Sequence, residues 1–455
     1  MKDLTTGKEG KLIWQFAIPM LLGNIFHQLY NVVDSWVVGN YLGKEALSAV
    51  GASHPLIFLL ISLVIGVSMG STIIISQYFG AKDYNKVKIS IDTLYIIMFF
   101  SGILVTILGL LFSKEIFQLI KLPDEVIPNA VAYFNIYISG SIFMFGFYGT
   151  SAILQGMGDS KTPLVFLVIS TLVNIVLDLL FVLQFNWGVE GVALATVIAQ
   201  AGAFLSAIFW LNKTHKLIRI SFIRLKFDWE IFKTSVRIGV PSGLQQVFVS
   251  MGMLALFRIV NDFGTSAVAA YSVASRIDSF AIVPAMTFAS ALGTFVGQNM
   301  GAGKQERVKK GLISTLMMTG IISVVISAAV IIFAHGLMSV FTTDQEVVEI
   351  GAEYLRIVGY YYIIFAGMFT FTGVFRGSGD TLIPMFITLF SLWLIRVPAS
   401  VMFSKMFGLV GVWYGLPAAW ITGLLMSILY FAKGNWKKKV VVKRPLEVSP
   451  ALEDI

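Results

Sequence analysis

The sequence predicts an all-α polytopic membrane protein, with twelve transmembrane helices in two parallel six-helix lobes related by a pseudo-two-fold axis along the membrane normal. Three observations carry this reading. Of 455 residues, 57% are apolar and 13% charged, too little polar material to cover a water-soluble surface. Apolar runs of about 20 residues recur along the chain, each long enough to cross roughly 30 Å of hydrocarbon at about 1.5 Å per residue. The chain also matches itself at a nearly fixed offset, the signature of a duplicated unit.

The expected spans are 12-40, 50-79, 88-112, 128-153, 162-185, 188-211, 230-260, 268-299, 309-334, 347-375, 382-405 and 408-432. The first run carries Asn24, His27, Gln28, Asn31 and Asp34 without a small-x-small cleavage site, so it reads as a retained helix rather than a signal peptide. With both termini on one side, that side collects 25 of the 33 Lys and Arg, whereas the opposite loops hold Lys44, Lys114, Lys121 and Lys405. The positive-inside rule then places both termini in the cytoplasm and the chain in the inner membrane.

Gln77-Tyr-Phe-Gly-Ala81 recurs as Gln298-Asn-Met-Gly-Ala302, 221 positions on. Gln155-Gly-Met-Gly-Asp-Ser-Lys-Thr-Pro163 recurs as Arg376-Gly-Ser-Gly-Asp-Thr-Leu-Ile-Pro384 at the same offset, and Pro19 and Pro241 are 222 apart. An even number of spans per half gives both halves one orientation, with a cavity expected between them. The organisation is therefore a first lobe at 1-211, a linker at 212-229, a second lobe at 230-432 and a basic tail at 433-455. The linker, which alternates basic residues with apolar ones, reads equally as a cytoplasmic interfacial segment or a solvated loop.

Several function classes drop out. The net charge of +8 sits in short loops, not in a stripe with interleaved aromatics, so no nucleic-acid partner is expected. With no cysteine there is no thiolate chemistry, and His27, His54, His215 and His335 lack metal-ligand spacing. Gly66-Val-Ser-Met-Gly70 matches a hydrolase elbow but lies in an apolar run, where small residues four apart let helices pack closely. Gly297-Gln-Asn-Met-Gly-Ala-Gly-Lys304 is one residue too long for a P-loop. The paired Gly-x-Gly-Asp segments read as tight turns in which Asp159 and Asp380 cap the following helix. No catalytic residue and no cofactor beyond a coupling ion is expected, so the chain does not read as an enzyme.

The chemistry should sit where charge enters a span, because such a group costs several kcal/mol unless paired or solvated. Asp34 in the first span and Asp178 in the fifth lie at matching depth, roughly 8 to 10 Å inside the outer boundary at about 1.5 Å per residue. Asn174 is one turn from Asp178, and Thr196 on the sixth span is at a similar level. Two carboxylates, an amide and a hydroxyl are the oxygen ligands a hard cation prefers, so these four form the candidate cation site for Na⁺; if protons are coupled instead, the two acids titrate as a pair. Asn24, Gln28, Asn31 and Asp34 form a polar stripe on the first span, which lipid will not accept and which should line the substrate cavity. Gln245 and Gln246 are rough counterparts in the second half, and Arg396 joins the cavity list, with Asp278 as its candidate ion partner. Pro19 removes a backbone hydrogen bond and makes a hinge. The second half lacks an equivalent acid: 221 after Asp34 stands Ala255.

On these residues the chain resembles the multidrug and toxic compound extrusion (MATE) family. The resemblance rests on the duplicated twelve-span plan, Pro19 with Asn31-Val-Val-Asp34, Gln77-Tyr-Phe-Gly-Ala81 and the paired Gly-x-Gly-Asp loops. It implies a V-shaped pair of lobes that exports amphipathic, often cationic organic compounds against Na⁺ or H⁺ entry by alternating access; a monomer surrounded by membrane lipid is expected. It also implies that Asp34, Asn174, Asp178 and Thr196 form the first-lobe cation site and that Pro19 is where the first span bends. The absence of a second-lobe carboxylate on span 7 resembles the DinF-like branch more than the NorM-like one. The rival reading is a flippase for a lipid or lipid-linked saccharide, in which the second-half arginines bind phosphate.

Overall fold

The computed structural model describes residues 2–214, 219–222 and 224–442, without the side chains of Tyr30, Asn31, Val32, Ser35, Lys44, Leu59, Ile61 and Leu63. The described residues form helices and connecting turns. The first lobe comprises α1 (Glu9–Val37, continued by a π turn Val38–Leu42), α2 (Gly43–Gly80), α3 (Tyr84–Leu119), α4 (Ile127–Ser139 with Ser141–Gly156), α5 (Lys161–Leu179 with a π turn Leu180–Gln184) and α6 (Gly188–Thr214). The second comprises α7 (Trp229–Asn261), α8 (Thr265–Gly301), α9 (Gln305–Ile332), α10 (Gln345–Gly359 with Tyr362–Ser378), α11 (Leu382–Leu389, a π turn Phe390–Arg396, Val397–Phe407) and α12 (Leu409–Lys433). Eight of these are singly long and apolar enough to cross a membrane, and α4 and α10 qualify as pairs bent by 49° and 51°. Their outer faces present Leu119, Phe209, Leu254 and Ile332 at 71–82% exposure, a surface made for lipid and not for water.

Each lobe has its own core. Leu94, Phe134, Phe145 and Ile153 anchor the first, and Tyr271, Tyr354 and Trp413 the second, where Tyr354 meets the Trp413 ring edge-on at 5.0 Å. A third cluster lies at the face carrying both termini. There Leu4, Ile13 and Phe16 pack with Phe288, Phe295, Phe375 and Trp436, so the first turns of α1 are held by the second lobe.

The linker is tied to the first lobe: Ile220 exchanges two hydrogen bonds with the Asn212 amide, and Asp228 N–H donates to Thr93 Oγ1 at 3.1 Å. His215 lies outside the described residues. Asp228 caps α7 by accepting from Glu230 N–H and Ile231 N–H at 2.9 and 3.0 Å. The Ile231 hydrogen bond, aided by Lys86 at 3.6 Å, holds its carboxyl below the usual carboxylate range. A depressed folded-state pKa stabilises above the unfolded value and loses that contribution as pH falls through the folded one. Asp228→Ala should therefore cost about 1 kcal/mol near neutral pH, and the difference from wild type should shrink in acid when thermal melts are compared from pH 7 to pH 3. The paired Gly-x-Gly-Asp turns behave unequally. Asp159 caps α5 through Lys161 N–H and Thr162 N–H, both at 3.1 Å. Contrary to expectation, Asp380 does not cap α11; it accepts the Tyr430 hydroxyl, with Thr381 at the N-cap position instead.

The lobes meet along glycine. A Cβ on Gly66 would lie 2.5 Å from Gly239 O, and one on Gly70 2.7 Å from Ser235 O, so α2 and α7 cross backbone to backbone. At the terminal face the duplicated motif packs against its own copy. Gln77 Nε2 donates to Gly377 O at 3.0 Å while its Oε1 accepts from Val441 N–H at 2.7 Å. Gln298 Nε2 donates to Gly156 O at 3.1 Å while its Oε1 accepts from Leu4 N–H at 2.9 Å. Both glutamines are fully buried, and the segments around Leu4 and Val441 are drawn into the closure.

Candidate functional site: a buried carboxylate pair and two cavities

Asp34 and Asp178 sit on helices that lose regular geometry just beyond them. The π turn Val38–Leu42 follows Asp34, and Leu180–Gln184 follows Asp178. A π turn widens the helix by one residue and re-aims its neighbours, which is why such turns gather at functional sites. The two acids are 2% and 1% exposed, and Oδ1 of each has no hydrogen-bond partner. They are near enough to interact electrostatically.

Asn174 and Thr196 complete the set. With its amide oriented to satisfy both neighbours, Asn174 donates from Nδ2 to Asp178 Oδ2 at 3.0 Å and accepts from Thr196 N–H at 3.2 Å. The four expected residues are all nine-tenths buried or more, and Asn174, Asp178 and Thr196 form one hydrogen-bonded group. A buried carboxylate oxygen without a donor is costly, and a bound cation or a proton removes that cost. The donors are all oxygen, and among the described residues no three His, Cys, Asp or Glu side chains cluster to hold a metal. The set fits a hard monovalent cation such as Na⁺, arriving as cargo, or a shared proton.

A cavity of about 350 Å³ opens beneath this group between α1, α4, α5 and α6, with Pro19, Asn24, Asn174 and Thr196 on its wall. Pro19 thus sits where a change in helix direction would alter the cavity that reaches Asn174 and Thr196. Asn24 also donates to Thr287 Oγ1 of α8 at 2.8 Å, a hydrogen bond between lobes. The rest of the expected stripe is placed differently. Gln28 lines neither this cavity nor the central one described below, and the side chain of Asn31 lies outside the described residues.

The second-lobe residues expected to line the cavity stand apart from both cavities, and Asp278 is beside Arg396 as the sequence suggested. Gln245 is 3% exposed and bonded to Thr388 Oγ1 at 2.6 Å and to Arg376, so it ties helices together instead of facing an open cavity. Gln246, next along α7, lines neither cavity. Arg396 ends the π turn Phe390–Arg396, which swings it into the second-lobe core at 5% exposure. There it is an electrostatic neighbour of Asp278 and Tyr271, and the Tyr354 hydroxyl donates to Asp278 Oδ2 at 3.4 Å.

A second cavity, of about 250 Å³, lies between the lobes, walled by α2, α4, α8 and α10. Tyr148, Ser151 and Gln155 of α4 face both cavities, so one helix separates them. Arg376, one residue beyond the expected span 347-375, lies in the last turns of α10 and lines this cleft. The signal for it was present: 221 residues earlier stands Gln155, a cavity residue of the first lobe.

Known proteins supply the comparison. A family model described as MatE matches residues 19–180 and again 241–402, opening at Pro19 and at Pro241. "Probable multidrug resistance protein YoeA" of Bacillus subtilis is 33% identical over 97% of this chain and 98% of its own, and "Probable multidrug resistance protein YpnP" of the same organism is 31% identical over 96% and 97%. Among solved structures, an outward-facing conformation of a multidrug resistance MATE family transporter superposes with a TM-score of 0.90 at 25% identity, covering 96% of this chain and 99% of that one. The repeated match, one per lobe and in register with the duplicated prolines, together with that superposition, shows that the chain belongs to the MATE family.

Proposed function

We propose that this protein is a secondary-active multidrug exporter that couples entry of Na⁺ or H⁺ to extrusion of amphipathic organic compounds by alternating access. The terminal face, closed here, is taken as cytoplasmic on the positive-inside rule, and the membrane as the inner one. The observation that carries the coupling is the pair of orphaned carboxylate oxygens on Asp34 and Asp178, joined through Asn174 to a cavity whose wall includes Pro19. Cation binding or protonation there favours one arrangement of α1, while cargo in the central cleft favours another; coupling needs only that each ligand prefer a different state. The curated relatives named as multidrug resistance proteins support the export reading. The lack of an acid at Gln245 and Gln246 supports the first-lobe site as the coupling site and the DinF-like branch.

The test is efflux of a panel of amphiphiles, ethidium as cation and norfloxacin as zwitterion, from cells lacking their own pumps, with the sodium and proton gradients collapsed separately. Export that stops when one gradient is removed, and not the other, is expected and names the ion. Absence of gradient-dependent export for every compound would overturn the proposal and move weight to the lipid or glycolipid flippase.

A further inference from the structure

The central cleft is nearly neutral. Its polar wall consists of hydroxyls such as Ser151, Ser290 and Thr372 and the amide of Gln155, against apolar Met69, Met286 and Phe369. The exception is Arg376. Among the described residues no carboxylate lines the cleft, and none lies within ion-pair distance of this guanidinium.

What holds Arg376 is a neutral amide. Its Nη2 donates to Gln245 Oε1 at 2.5 Å, and Gln245 is in turn pinned by Thr388. Arg376 Nε is buried and has no partner. An acid in place of Gln245 would neutralise the charge; the amide orients the fork and leaves the charge available. An uncompensated cation inside a membrane protein is costly, and a planar guanidinium on the cleft wall, held at one nitrogen by an amide oxygen, matches the oxygens of a carboxylate or phosphate. We infer that Arg376 is an anion-binding site at the terminal end of the central cleft, taking the carboxylate or phosphate head of an amphipathic molecule whose apolar part lies along Met69, Met286 and Phe369. This deepens the export proposal by naming the polar group of the cargo, and it rests on that proposal only for the word cargo.

The symmetric position gives a clean variant. Gln155 occupies the equivalent place in the first lobe and faces the same cleft, so Arg376→Gln installs a residue that the duplicated helix already carries. The full chain in phosphatidylcholine nanodiscs is titrated with 11-(dansylamino)undecanoic acid and with its primary carboxamide, protein-free nanodiscs supplying the partition blank. The acid should bind about 10-fold tighter than the carboxamide in wild type, as a charge-assisted contact implies. Arg376→Gln should erase that preference and Arg376→Lys keep part of it, while an unchanged carboxamide affinity shows that the cleft is intact. Equal binding of acid and carboxamide to wild type, or a preference that survives Arg376→Gln, would overturn the inference. Adding phosphatidylglycerol to the nanodiscs separates the sources: displacement of the acid assigns the site to a lipid head group, and retention assigns it to a soluble anion, both with the site confirmed. Equilibrium binding needs no gradient, so a chain that failed to couple efflux to an ion would still pass or fail this test independently.

Discussion

Asp34→Asn and Asp178→Asn are each expected to reduce gradient-driven efflux by about 100-fold or more, the change produced by losing about 2.7 kcal/mol of ligand preference between states. Asparagine keeps the size and one oxygen of aspartate but can neither take up a transported proton nor supply a charged ligand to Na⁺. The stability readout runs the other way. A buried carboxylate with an orphaned oxygen burdens the fold by several kcal/mol unless it is neutralised, so both variants should melt no lower than wild type. That opposition separates the readings. If the acids only held helices together, through the Asp178 bond to Asn174 for instance, replacing them would lower the melting temperature and leave efflux per folded molecule within about threefold, a change of under 1 kcal/mol. Efflux assays normalised to folded protein, with thermal melts of the same samples, decide between them.

The elements that were legible in the sequence are those whose physics is local. Apolar run length placed the spans, because hydrocarbon thickness sets a minimum that no loop imitates. The depth arithmetic brought Asp34, Asn174, Asp178 and Thr196 to one level because helical rise is constant, and the structure joins three of them by hydrogen bonds. What was not legible depends on helix irregularity. A π turn inserts one residue without altering apolar composition, so nothing in Phe390–Arg396 signals the turn itself, although Asp278 was legible as the neighbour of Arg396. The bends at Gly140 and at Tyr360 hide inside continuous apolar runs for the same reason. Arg376 was misplaced because a charged residue near a Gly-x-Gly-Asp turn reads as loop, whereas α10 runs to Ser378 and carries it into the cleft. The meeting of the segments 77–81 and 298–302 across the pseudo-two-fold axis needed tertiary structure, although their repetition was plain.

That meeting sets the second large effect: Gly80→Ala and Gly301→Ala should each drive the protein out of the closed terminal face. A Cβ on Gly80 would stand 1.9 Å from Gln298 O, and one on Gly301 1.8 Å from Gln77 O. Both obstacles are backbone carbonyls, which no rotamer change moves aside. Neither glycine has a positive φ, so the helix ends they close tolerate alanine by themselves. The penalty is therefore confined to the state in which the lobes touch, and the variant shifts an equilibrium instead of unfolding a domain. The absence of cysteine makes the measurement direct, since a single Cys introduced at Ser290 in the central cleft is the only thiol. A membrane-impermeant maleimide applied to the terminal side should label it about 10-fold faster in either variant, corresponding to about 1.4 kcal/mol lost from the closed state. Gln77→Ala removes the same closure without adding volume: it strands Gly377 O and Val441 N–H and should shift labelling in the same direction by about 1 to 3 kcal/mol at most. Unchanged labelling from the terminal side in both glycine variants would show that these contacts do not govern which face is open, and the duplicated motif would then be only a folding contact between the halves.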